Sequence, residues 1–141
     1  MPTASSSIVI DAPAKLIYGI ALDFEKYPQF LSDVKKASVH GKKGKDLLVD
    51  FELSLLKTIR YRLKVSAEPH KKIFWSLLEG DLFKSNDGNW IFEEQQGKTK
   101  ATYTVTIEFG IFVPSLITSK LIGANLPSMM KKFKERAEGM V

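Results

Sequence analysis

The chain has 141 residues, 44% of them hydrophobic and 26% charged, with a formal net charge of +5 and no cysteine. That length suits one domain, residues 1–141, on one core, with the balance of a soluble globular protein. Disulfides, thiolate nucleophiles and cysteine-based metal sites are excluded. No apolar run approaches the roughly 20 residues that span a bilayer. Residues 1–13 lack the basic and apolar regions of a signal peptide, so a cytoplasmic location is expected. The pI near 9.3 raises the prospect of an anionic partner only a little, because the positive charges are spread through turns and outer strand positions beside acidic neighbours.

Taken in order, residues 6–11 are a β-branched run and predict a first strand. Leu16, Ile17, Ile20, Ala21 and Phe24 then recur at helical spacing. They predict a helix over about 13–22, with Pro13 in its first turn and Asp11 placed to cap it. Pro28 and the aromatics Phe24, Tyr27 and Phe30 predict a second short helical turn. Residues 34–40 read as a strand, and 41–46 as a basic turn whose spacing is not that of a phosphate-binding loop.

Two alternating runs follow. Leu47, Val49, Phe51, Leu53 and Leu55 share one face, as do Ile59, Tyr61, Leu63, Val65 and Ala67. Period two marks half-buried strands. A connection at 56–58 sets Glu52 opposite Arg62 and Asp50 opposite Lys64. These pairings account for the basic stripe Arg60, Arg62 and Lys64 without a nucleic-acid partner. Residues 72–79 form another strand, and apolar residues on both faces predict that part of it is covered on both sides. A strand over 83–94 follows, where Gly88 predicts a bulge or bend. The last alternation, 101–109, places Tyr103 and Phe109 inside.

Residues 113–140 form the principal helical segment. Leu126, Met130, Phe133, Ala137 and Met140 make one apolar stripe, and Ile117, Leu121 and Ala124 a shorter one. Pro127 predicts a kink or break between them, with Asn125 able to cap the second part. Consecutive strands with one apolar face need a lid, and this segment supplies it. The fold class is α+β: an antiparallel meander beneath a terminal helix.

The stretches DFEKYPQFL (23–31), LEGDLFKSNDGNWIFEE (78–94) and MKKFKERAEGM (130–140) resemble the opening, central and closing motifs of the START-like, polyketide cyclase and coenzyme Q-binding group. That group shares its helix-grip fold with the birch-pollen allergen family. The resemblance covers nearly the whole chain. It implies a curved sheet of about seven strands wrapped around a long C-terminal helix, with an apolar cavity between them. In relatives the cavity takes a quinone, a lipid or a polyketide, and one bacterial relative resembles an inhibitor of ribosome-subunit association.

The residues themselves mark no catalytic or metal-ligating constellation. His40 and His70 sit near strand ends or turns and read as surface residues. No cofactor, metal or DNA partner is expected. A hydrophobic small-molecule ligand is, bound by Phe51, Tyr61, Trp75, Trp90, Tyr103 and Phe109 from strands and Leu121, Met130 and Phe133 from the helix. Tyr61 and Tyr103 carry hydroxyls able to orient it, and Met129 with Met130 forms an adaptable lid. Two alternatives stand beside this. A polyketide aromatase/cyclase-like enzyme needs a buried acid or base, sought first at Glu79 or Asp81. A ribosome-binding protein uses Lys42, Lys43 and Lys45.

Overall fold

The computed structural model describes residues 3–43, 46–54, 58–110 and 126–140, without the side chains of Lys42 and Lys43. Strand β1 (Thr3–Ile10) leads into helix α1 (Ala14–Leu22) and a 3-10 helix (Phe24–Gln29). Six strands follow: β2 (Val34–Lys43), β3 (Asp46–Ser54), β4 (Thr58–Glu68), β5 (Lys72–Gly80), β6 (Phe83–Gln95) and β7 (Lys98–Phe109). Helix α2 (Leu126–Glu138) completes the order. The strands make one seven-stranded antiparallel sheet, β1-β7-β6-β5-β4-β3-β2. This is the α+β helix-grip arrangement expected from the sequence.

Alternation places the core. Val49, Phe51, Leu63, Val65, Ile73, Trp90, Phe92 and Ala101 bury the concave face of the sheet. Ile17, Ile20 and Ala21 of α1 and Leu126, Met130, Phe133 and Ala137 of α2 pack into the same cluster. Helix α2 is held at its end by polar contacts. The Lys134 ammonium donates to the Val9 carbonyl at 3.0 Å and to Glu138 at 2.7 Å, and Glu138 accepts the Asp11 N–H at 2.9 Å. Strand β1 joins β7 through backbone pairing and three hydroxyl pairs, Thr3–Thr106, Ser5–Thr104 and Ser7–Thr102, at 2.9–3.0 Å.

Several local expectations are corrected. Asp11 does not cap α1; Pro13 occupies the cap position, and the carboxylate of Glu94 accepts the Ala14 N–H at 2.7 Å from across the fold. The β3–β4 ladder closes at Ser54↔Thr58, one residue earlier than expected, so Glu52 faces Arg60 and Asp50 faces Arg62. Moving the closure by one residue shifts every partner by two, which preserves the faces and changes the pairs. Strand β2 runs on to Lys43 and β3 starts at Asp46, leaving a much shorter turn than 41–46.

Phe74 and Leu78 are exposed, so β5 is covered on one face only. The register shift in β6 lies between Phe83 and Ser85, not at Gly88. Helix α2 ends at Glu138, which leaves Met140 outside the apolar stripe and 59% exposed. Pro127 is the second described residue of α2. The stripe Ile117, Leu121 and Ala124, the cap Asn125 and the expected kink fall outside the described residues.

Candidate functional site

Between the concave sheet, the 3-10 helix and the first turns of α2 lies a cavity of about 430 Å3, within the size range of small-molecule sites. Period two in β3–β7 delivers its walls. Phe51, Tyr61, Trp75, Trp90 and Tyr103 enter from five successive strands and Phe133 from α2. Their rings pack on one another. Phe51 and Tyr61 stack at 5.3 Å, Trp75 and Tyr103 lie 5.4 Å apart, and Trp90 meets Tyr103 at 5.0 Å and Phe133 at 4.9 Å.

Six of the nine residues expected at the site therefore line one cavity. The others do not join them among the described residues. Met130 is buried in the core behind the wall. Phe109 stacks on Phe83 at 5.7 Å and does not line the cavity; it packs against a second apolar cluster that includes Ile59 and Leu82. Leu121 falls outside the described residues.

The polar groups of the interior are few. Tyr61 and Tyr103 both line the cavity, and neither hydroxyl has a hydrogen-bond partner among the described residues. Burial pushes both phenols above the ordinary tyrosine range, with the neighbouring Tyr103 adding to the effect at Tyr61. Both are neutral O–H groups at neutral pH. Tyr27, which also lines the cavity, spends its hydroxyl on the Ala21 carbonyl.

Sequence reasoning missed a further polar group, Asn86, which lies two residues before the bulge or bend expected at Gly88. It sits inside β6, buried, with its side chain on the cavity wall. Its Oδ1 accepts the Trp75 indole N–H at 3.3 Å. The one signal available was parity: Asn86, Gly88, Trp90 and Phe92 are alternate residues of one strand. Phe24, Leu63, Ile73, Val105 and Met129 are among the apolar lining, and Ser32, Asp33, Ser128 and Lys132 also lie on it.

Glu79 and Asp81 stand elsewhere. Glu79 is exposed and pairs with Arg62 at 3.6 Å, and Asp81 is exposed and accepts the Arg60 N–H at 3.0 Å. Neither supplies an acid or base to the cavity. On the same outer face Asp50 bonds Arg62 at 2.6 Å and contacts His40; the hydrogen bond from Arg62 leads the effects that hold this carboxyl below its usual range. Among the described residues no group of three or more His, Asp or Glu is placed to hold a metal ion, and no helix is long and apolar enough to cross a membrane. Lys42, Lys43 and Lys45 have no described side chains.

The sequence model of the family described as polyketide cyclase / dehydrase and lipid transport matches residues 10–134. No curated protein sequence matches the chain. Among solved structures it is similar to a START superfamily protein from Mycobacterium smegmatis, with a TM-score of 0.86 at 21% identity over 100% of both chains. It is similar to a protein from Thermus thermophilus, with a TM-score of 0.85 at 23% identity over 99% of both chains. The ZhuI aromatase/cyclase from Streptomyces sp. R1128 superposes with a TM-score of 0.82 at 14% identity, covering 96% of this chain and 93% of that one. At these identities the likeness is one of fold.

Proposed function

Since the chain belongs to the polyketide cyclase / dehydrase and lipid transport family, we propose that it binds a hydrophobic small molecule, such as a quinone, lipid or polyketide-like compound, in the cavity between sheet and α2. The observation that carries this reading is the cavity itself. It is about 430 Å3, walled by aromatic rings, and its tyrosine hydroxyls are neutral. Apolar burial supplies the driving force, about 25 cal/mol per Å2 before the costs of ordering. Six residues hold the ligand on this reading: Phe51, Tyr61, Trp75, Trp90, Tyr103 and Phe133.

Binding is favoured over catalysis because Glu79 and Asp81 lie outside the cavity, and the ionisable residues that do line it, Asp33 and Lys132, are only half-buried. Chemistry on a polyketide asks for an acid or base beside the bound carbonyl, and buried phenols with raised pKa are poor bases at neutral pH. Native mass spectrometry with solvent extraction of the purified protein tests the proposal. The expected result is a co-purifying apolar compound, or one taken up from an offered set of quinones, lipids and aromatic polyketides. The chain's two tryptophans, Trp75 and Trp90, both line the cavity, so uptake changes the intrinsic fluorescence. A protein that neither carries nor takes up any such compound, with its fluorescence unmoved, ends this reading.

A further inference from the structure

Asn86 is held in one orientation. The Trp75 indole nitrogen can only donate a hydrogen bond, so the amide oxygen of Asn86 must face it. The amide NH2 is then turned the other way, and no partner for it exists among the described residues. The indole is itself fixed by Gly88, opposite it in the ladder. A Cβ at Gly88 would stand 2.5 Å from Trp75 Cζ2 and 2.5 Å from the Thr104 carbonyl. Only glycine lets the indole lie against β6 and reach Asn86. Ladder, glycine, indole and amide thus form a chain of constraints that ends in two N–H donors on the cavity wall.

Tyr61 and Tyr103 add two O–H groups to the same interior, and Trp75 lies 5.4 Å from the Tyr103 ring. We propose that Asn86, set by Trp75 and Gly88, is the specificity-determining residue of the cavity, and that it selects a flat ligand bearing a hydrogen-bond-accepting oxygen. This rests on the binding reading above and narrows it. A purely hydrocarbon guest leaves the amide and both hydroxyls unpaired in a low-dielectric space, which is a strong ground for rejection. The aromatic walls suit a ring system, since planar guests stack on them.

Equilibrium dialysis with two probes of nearly equal outline, 1,4-naphthoquinone and naphthalene, tests this. The chain has no cysteine for the quinone to alkylate. Wild-type protein is expected to bind naphthoquinone about tenfold or more tightly than naphthalene, the discrimination of one or two buried hydrogen bonds. Asn86→Leu is expected to remove most of that preference while naphthalene binds as before or better. Trp75→Phe frees the amide to turn and is expected to weaken the preference in the same direction. Equal affinity of wild-type protein for the two probes overturns the selectivity proposal and leaves the binding reading standing. So does an Asn86→Leu variant that loses both probes alike, because that marks a role in shape alone. Uptake of neither probe, with an apolar chain compound still bound, also overturns it; uptake of nothing at all removes both readings. The wild-type comparison needs no variant, so a misfolded Asn86→Leu does not shield the idea.

Discussion

Three phenols inside one small protein tie its stability to alkaline pH. Burial is the leading cause that raises Tyr27, Tyr61 and Tyr103 above the ordinary tyrosine value, and in the unfolded chain each ionises near about pH 10. A raised pKa means that the folded state keeps a proton the unfolded state gives up. The stabilisation is therefore fully present below about pH 10 and is lost as pH climbs above it. The tyrosinate absorbance is expected to rise in one cooperative step that coincides with loss of circular dichroism. A Tyr61→Phe, Tyr103→Phe double variant is expected to move that step to higher pH. Independent titration of these phenols in still-folded protein would show them to be solvated. Tyr61 and Tyr103 were legible from alternation as inward residues. Asn86 was not, because a bulge or bend expected at Gly88 leaves open which way the residue two before it faces, and the unbroken pairing with β7 decides it.

At the scale of elements, Gly88 and Glu94 show how β6 serves its neighbours. Glu94 closes the N-terminus of α1, 80 residues away in sequence, where a local cap was expected at Asp11. No pattern in residues 11–14 reveals that partner, since it depends on where β6 passes. Gly88 admits the Trp75 ring. Gly88→Ala is expected to cost roughly 1–3 kcal/mol of stability, as overpacking does in a filled core, and to redden the tryptophan emission as the indole is driven outward. Unchanged denaturant midpoint and emission would mean that the ring and ladder yield without strain. The same reasoning explains which parts of the sheet could be read beforehand. Faces follow from parity, a local property. Register follows from where a turn closes, and one residue there changed the partners of Arg60 and Arg62 without moving either off the outer face.

On the scale of the whole molecule, strand order, the helical cover and six of the expected cavity residues followed from alternation and the resemblance. The exposed Phe74 and Leu78 did not, because an apolar outer residue has the same local pattern as a covered one. The sheet has one thin seam. Strands β5 and β6 pair only over Lys72–Trp75 and Gly88–Ile91, whereas β6 and β7 pair from Phe83 to Gln95. Beyond Trp75 the Trp75–Asn86 bond stands where a backbone ladder would otherwise run. Hydrogen exchange is expected to be faster at Ser76–Leu78 than at Thr102–Ile107, and a bound cavity ligand that engages Asn86 is expected to slow it. Equal protection along both strands would remove the seam.

The pairing of β1 with β7 also sets an order of events. Thr3 lies opposite Thr106, so during synthesis the earlier strand emerges long before its partner exists. A contact spanning so much chain pays its loop-closure entropy late. Until then Thr3–Ile10 is an unpaired strand with free backbone groups on both sides, and its hydroxyl row, instead of an apolar one, keeps the waiting segment wettable. The earlier strand of this pair waits for the later one before it is placed.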